Sequence, residues 1–206
     1  MNINNINFRA KPINKSLFIK KYDLNKNQYT DFQVAFVKLD KDNKNDIIAV
    51  DEATKHWNDG IFIKRIATAS HWMKTVPIDI YALTSQSNNF DKLDYKQIIG
   101  FAEMRDDNMQ KKYKWLHYLE VKYDAIKVGS ESKNKYKYAG STILSSLKKI
   151  YKNISLFSVR HPNIEKFYRQ NGFIEDYMGC NHYVWNSSKL KMMLIKFKKF
   201  RLQFGY

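Results

Sequence analysis

The stretch Lys135-Tyr136-Lys137-Tyr138-Ala139-Gly140-Ser141 gathers small and basic residues just before a segment with helical spacing. A helix N-terminus carries unpaired N–H groups and the positive end of the helix dipole. Such a junction attracts anions, phosphates above all, and neighbouring lysines add to the pull. Other proton-moving groups are scattered. His117 alternates with Trp115, Leu119 and Val121 on one face of a strand-like run, and Glu103 sits on the run before it. His56, His71, His161 and His182 lack metal-ligand spacing, and no metal is expected. The single cysteine, Cys180, leaves no room for an internal disulfide or a Cys-rich zinc site.

These groups need a frame, and the pattern of the chain supplies one. Residues 1–31 are polar and Asn/Lys-rich, and read as an irregular arm with one short element at Leu17–Tyr22. Strands are predicted at Phe32–Leu39, Ile78–Thr84, Gln97–Met104, Tyr113–Tyr123, Ile154–Val159, Phe173–Tyr177 and Tyr183–Trp185, where β-branched and aromatic residues cluster or alternate. Helices are predicted at Asp51–Trp57, capped by Asp46 or Asp51, and at Ile61–Thr75, stopped by Pro77. Two more are predicted at Gly140–Tyr151 and Asn163–Gln170, the last closed by an Asn171-Gly172 cap. Residues 124–137 read as a charged loop. The order implies an α/β chain with a mixed α+β sheet and a parallel crossover from the strand at 113–123 through a helix to the strand at 154–159.

Composition limits the function classes. The chain has 206 residues, 44% of them apolar, with only 7 Gly and 3 Pro, so collagen-like and low-complexity architectures are excluded. One domain is expected at this length. No apolar run approaches the ~18 residues of a membrane span, and the N-terminus lacks a signal-like core. A lone cysteine fits a reducing cytoplasm. Lys and Arg number 36 against 20 acids, a formal charge of +16 that favours phosphates, nucleic acid or anionic lipid as partners. AT-rich coding, visible in the abundant Lys, Asn, Ile and Tyr, also raises the lysine count. Residues 189–206 carry six Lys/Arg and no acid, interleaved with apolar residues, and read as a basic amphipathic tail helix.

Three segments in order resemble the GNAT superfamily of acyl-CoA-dependent N-acetyltransferases. Leu119-Glu120-Val121 resembles the L-x-V that ends the family's central strand. Lys135-x-x-Tyr138-x-Gly140, followed by Ile143-Leu144, resembles its pyrophosphate loop Q/R-x-x-G-x-G/A. Phe167-Tyr168-Arg169-Gln170-Asn171-Gly172-Phe173 resembles its F-Y-x-x-x-G-F signature. Lys135 departs from the usual Gln or Arg, and Tyr138 from the first Gly. The resemblance spans residues 32–186, leaving an N-terminal arm (1–31) and the C-terminal tail (187–206) outside. It implies a GNAT-like fold with splayed central strands and helices on both faces.

The resemblance also implies site roles. Acetyl-CoA is the expected cosubstrate. Its pantetheine arm would pair as a pseudo-strand with Leu119 and Val121, beside Glu120. The backbone of Lys135, Tyr136, Lys137, Tyr138, Ala139 and Gly140 would cradle the pyrophosphate, and Asn163 would contact pantetheine. Tyr168 corresponds to the family's proton donor to the leaving thiolate; a phenol of ordinary pKa ~10 is protonated at neutral pH. For the base that neutralises the amine, His117, Glu103 and a water-only route stay open.

The expected activity is therefore transfer of an acetyl group from acetyl-CoA to a primary amine by direct attack. The acceptor is a small molecule, a protein amine or an aminoacyl-tRNA, the last being a substrate of toxins within this superfamily. The competing expectation is a non-catalytic GNAT-like basic module that binds RNA or DNA through lysines and exposed aromatic rings. A homodimer is among the assemblies open to either.

Overall fold

The computed structural model describes residues 10–40, 43–55, 57, 78–106, 112–177 and 180–188. The helix predicted at 61–75, its stop at Pro77 and the tail helix at 189–206 lie outside the described residues. In chain order the elements are β1 (Lys11–Asp23), β2 (Gln28–Leu39), α1 (Lys44–Lys55), β3 (Ile78–Thr84) and β4 (Ile98–Asp106). Then come β5 (Lys114–Val121), β6 (Ala125–Val128), β7 (Glu131–Asn134), β8 (Tyr136–Lys137), α2 (Ala139–Ile150), β9 (Asn153–Phe157), α3 (Pro162–Gln170), β10 (Ile174–Tyr177) and β11 (His182–Asn186). Nine strands are hydrogen-bonded in the order β10-β11-β9-β5-β4-β3-β2-β1-β8, and β6–β7 form a separate hairpin. The chain is thus a mixed α+β fold. No helix among the described residues is long and apolar enough to cross a membrane.

The residues fall into two compact units: Met1–Arg105 with His117–Ser146, and Asp106–Leu116 with Leu147–Tyr206. In the first, β1 to β4 form an antiparallel meander. Its core joins Ala35, Val37 and Leu39 of β2 to Ala49, Val50 and Ala53 of α1 and to Trp57 and Phe101. The Trp57 and Phe101 rings lie 5.1 Å apart. In the second unit, the start of β5 pairs in parallel with β9 through Lys114↔Ile154 and Trp115↔Ser155, as the crossover reading expects. β11 then pairs antiparallel with both β9 and β10.

Two segments differ from the sequence expectation. Lys11–Asp23, read as an irregular arm, is a 13-residue strand paired along β2. Its pattern is masked because Lys and Asn fill much of the segment, the apolar Ile13 and Phe18 are exposed, and the buried Ile19 and Tyr22 stand three residues apart, off the two-residue period of a strand. Register shifts between Pro12/Asn14 and Asn14/Leu17 break the ladder near its start. Residues 124–137, read as a loop, form the β6–β7 hairpin and β8. Gly129 at φ +62° makes the hairpin turn. β8 adds to β1 through Lys20↔Lys137 and Lys21↔Tyr136.

The helix predicted from Asp51 begins earlier, at Lys44, and its cap is neither predicted aspartate. Asn43 Oδ1 accepts from the Asn45 amide at 2.8 Å. Asp46, in the first turn, reaches back to accept from the Asp40 amide at 2.8 Å. Its other oxygen, Oδ1, is buried with no hydrogen bond among the described residues. Burial, partly offset by the Asp40 amide, raises the Asp46 carboxyl from 3.8 to about 6. A folded state that holds this proton more tightly than the unfolded chain is most stable below about pH 4. Stability declines as pH rises towards about 6 and is flat above it. Asp46→Asn keeps an acceptor for Asp40 and removes the charge. It is expected to abolish that decline and to stabilise the protein at pH 7 by on the order of 1–3 kcal/mol, read from denaturant midpoints at pH 4 and pH 7.

Candidate active site

The first unit brings the end of β5 together with the start of α2. Gly100 on β4 is the hinge of this arrangement. A Cβ built there would lie 2.8 Å from Ile143 Cδ1 on α2, 2.9 Å from the Glu120 carbonyl oxygen and 3.5 Å from Val121 Cγ2. The missing side chain lets α2 sit directly over the β4–β5 ladder. An isolated Gly inside a strand pattern is the sequence signal for such an approach, and the sequence reading passed over it.

The same contact orients the backbone of β5. The Glu120 carbonyl faces β4, and the Lys122 amide donates to Ile99 O at 2.8 Å. Backbone groups alternate sides along a strand, so the N–H and C=O of Leu119 and Val121 point away from β4. Within this unit β5 is the edge of the sheet. All three of Leu119, Glu120 and Val121 are half-buried, and the Glu120 carboxylate accepts from the Tyr118 hydroxyl.

The junction into α2 is held from two sides. The Lys135 amide donates to Asp124 O at 2.8 Å, and the Tyr22 amide to Lys135 O at 2.9 Å. Lys135 Nζ donates to Asp124 Oδ2 at 2.9 Å, a bond that raises the lysine above its ordinary pKa. Lys137 Nζ lies 4.0 Å over the Tyr29 ring. Burial pushes the Tyr136 phenol up. Tyr138 has φ +69°, the left-handed conformation that a glycine takes without strain. Its carbonyl accepts from the Thr142 amide at 2.9 Å, which makes Tyr138 the N-cap of α2. Ala139, Gly140 and Ser141 then supply the first-turn amides. The Tyr138 side chain is 64% exposed and lies away from the core.

Glu103 and His117, rivals in the sequence reading, are partners in the structure. Glu103 is fully buried, and its Oε1 lies 3.0 Å from His117 Nδ1 and also accepts from Arg105 Nε. Burial opposes its ionisation, but the hydrogen bonds and charges of His117 and Arg105 outweigh burial and hold the carboxyl below the usual range. An ionised Glu103 only accepts, so His117 Nδ1 carries a proton and donates it. Glu103 Oε2 has no hydrogen bond among the described residues.

Tyr168 and Asn163 belong to the second unit. Tyr168 packs edge-on to Phe173 at 5.8 Å and lies 6.0 Å from Tyr183. No hydrogen bond of its hydroxyl occurs among the described residues, and burial pushes the phenol up to about 12. Asn163 is exposed in the first turn of α3, where its amide donates to the capping His161 Nδ1 at 3.3 Å. The predicted Asn171-Gly172 closure is present, with Gly172 at φ +74°. Lys148 Nζ, missed in the sequence, donates to the Asn171 carbonyl and lies 4.8 Å over Phe173. Burial lowers it to about 8.

Two outcomes follow from the backbone. Gly100→Ala is expected to lose ~1–3 kcal/mol of stability, the range for overpacking against neighbours that cannot retreat, since one of them is backbone. Tyr138→Gly relieves a left-handed L-residue and is expected to gain ~0.5–1 kcal/mol net of the added freedom of the unfolded chain. Urea midpoints of the two variants against the parent measure both.

No protein-family model and no curated protein matches the chain. Among solved structures it is similar to AtaTR bound with AcCoA, with a TM-score of 0.50 at 12% identity, covering 78% of this chain and 98% of that one. It is also similar to a mutant of KacT (TM-score 0.44, 9% identity, 68% of this chain and 91% of that one). The KacTA–DNA complex gives a TM-score of 0.43 at 11% identity over 66% of this chain and 82% of that one. The identities establish fold alone, and the fold is that of the GNAT acetyltransferases.

Proposed function

We propose that this chain is an acetyltransferase that passes an acetyl group from acetyl-CoA to a primary amine. The observation that carries this reading is the left-handed Tyr138 at the N-cap of α2. At the position where the GNAT loop has its first glycine, this chain takes the glycine's backbone conformation despite the side chain. The first-turn amides of Ala139, Gly140 and Ser141 then meet a pyrophosphate without a bulkier backbone path. The outward N–H and C=O groups of Leu119 and Val121 suit an extended amide-bearing arm, which adds to a sheet edge as a strand does. That AtaTR is solved with AcCoA supports the same cosubstrate.

The chemistry can be assigned to this chain's residues. Acetyl-CoA, when bound, supplies a thioester whose carbonyl carbon the amine attacks as the C–S bond breaks. His117 Nε2 takes the proton the amine gives up, with Glu103 as the positioning residue that fixes the tautomer and stabilises the cation formed. Because Glu103 is fully buried, the residue that would touch the acceptor is His117. Tyr168 donates a hydrogen bond to the leaving sulfur. At about 12 its phenol lies roughly three units above an ordinary thiol, so full transfer runs uphill and the proton stays shared. Asn163 and the Lys135–Gly140 backbone complete the proposed cosubstrate contacts.

A second reading is a basic module for single-stranded nucleic acid. It rests on an ammonium–ring pair in the first unit, Lys137 over the half-buried Tyr29 at 4.0 Å. Acetyl-CoA separates the two. At 100 times its dissociation constant it should stabilise an acetyltransferase by ~2.7 kcal/mol. Gly140→Asp, which sets a like charge against phosphate, should remove most of that gain. Tyr168→Phe should keep it while lowering turnover ~10²–10³-fold, the loss usual for one oriented donor, in an assay of free CoA over a panel of amines and aminoacyl-tRNA. No stabilisation by acetyl-CoA, with RNA affinity that falls steeply with salt, would leave the binding module as the correct reading.

A further inference from the structure

The β1–β2 hairpin and the β6 strand of the first unit border a half-open cavity of about 380 Å³, within the usual range for small-molecule sites. Its walls divide by chemistry. Leu24, 63% exposed at the hairpin, and Ile126 on β6 are apolar. Lys21 Nζ lies 4.6 Å over the Phe32 ring and forms no ion pair among the described residues. The Lys135 side chain also lines the cavity, but its ammonium is engaged by Asp124. Thr30 contributes a hydroxyl. Asp23 Oδ1 accepts from the Asn25 and Lys26 amides at 3.0 and 3.3 Å, and its Oδ2 has no hydrogen bond among the described residues.

These groups match the three parts of a nucleotide. We propose that the cavity is a binding site for a nucleoside monophosphate, beside the cosubstrate loop whose Lys135 forms one of its walls. The phosphate meets Lys21, whose ammonium is already partly dehydrated by the Phe32 ring and has no carboxylate to leave. The ribose hydroxyls meet Asp23 and Thr30, both acceptors, since the Thr30 hydroxyl donates to the Lys21 carbonyl at 3.4 Å. The base, an apolar plate, lies between Leu24 and Ile126. No residue in this assignment belongs to the proposed catalytic or cosubstrate set. The register Lys21↔Tyr136 ties the cavity floor to β8, which leads directly into Tyr138.

Calorimetric titration of the full chain with adenosine 5′-monophosphate, adenosine and inorganic phosphate tests the site, with and without saturating acetyl-CoA. The monophosphate is expected to bind in both conditions, and adenosine or phosphate alone at least tenfold more weakly. Lys21→Gln should weaken the monophosphate by about ten- to a hundredfold, the range for losing a charged hydrogen bond. Ile126→Asp should do the same from the opposite wall, with the thermal midpoint of each variant confirming that it folds. No heat with the monophosphate, unchanged affinity in both folded variants, or stoichiometric displacement by acetyl-CoA would each overturn the proposal. Failure of acetyl-CoA to bind would count against the acetyltransferase reading and leave the monophosphate result standing.

Discussion

One close approach organises the candidate site: α2 resting on β4 at a residue with no side chain. If Gly100 carried a Cβ, the Ile143 methyl and the Glu120 carbonyl would both have to move. Two distant stretches meet there, the strand end that offers outward backbone groups and the helix whose first turn offers amides. Neither stretch is unusual alone. An edge strand attracts any extended chain, and a helix start attracts any anion. Their proximity turns two weak tendencies into one site suited to a ligand with a peptide-like arm and a phosphate.

Burial acts in opposite directions on the ionisable groups of the chain, and the difference lies in their partners. Glu103 is as buried as any described residue, yet two cationic or donating neighbours keep it ionised. Asp46 is nearly as buried, with one backbone amide as its offset, and is driven towards the neutral acid. Lys148 finds a carbonyl and two aromatic faces but no carboxylate among the contacts described, and its ammonium is weakened. A buried charge in this fold is held at no cost to its ionisation only where a formal countercharge reaches it.

Much of the fold could be read from the sequence because strands with a buried face announce themselves. Ile78–Thr84 was predicted to the residue, and β5, β9 and β11 to within a few. The Asn171-Gly172 closure was legible because few residue pairs suit a left-handed turn. β1 was not, since its Lys and Asn content is that of a loop and its buried Ile19 and Tyr22 stand three residues apart, off the strand period. Nor was the partnership of Glu103 with His117, which depends on how two strands align and not on either one's composition. Tyr138 was readable as a departure from glycine, whereas its backbone angle was not. Gly100 was readable in principle and overlooked, because a glycine in a strand says that something comes near without saying what.

The irregular start of β1 has a consequence for life at high concentration. Among the described residues, β8 pairs with Lys20 and Lys21 of this strand, the Lys135 carbonyl takes the Tyr22 amide, and no strand pairs with the rest of that border. A flat, unguarded border of that length would be a template on which a second polypeptide could add its own strand and begin a fibril. Pro12 cannot donate to such an addition, two register shifts twist the border out of plane, and Lys11 and Lys15 repel another basic chain at close range. In a protein carrying a charge of +16, copies already avoid one another. The broken ladder extends that protection to crowded or high-salt conditions in which charge no longer keeps them apart.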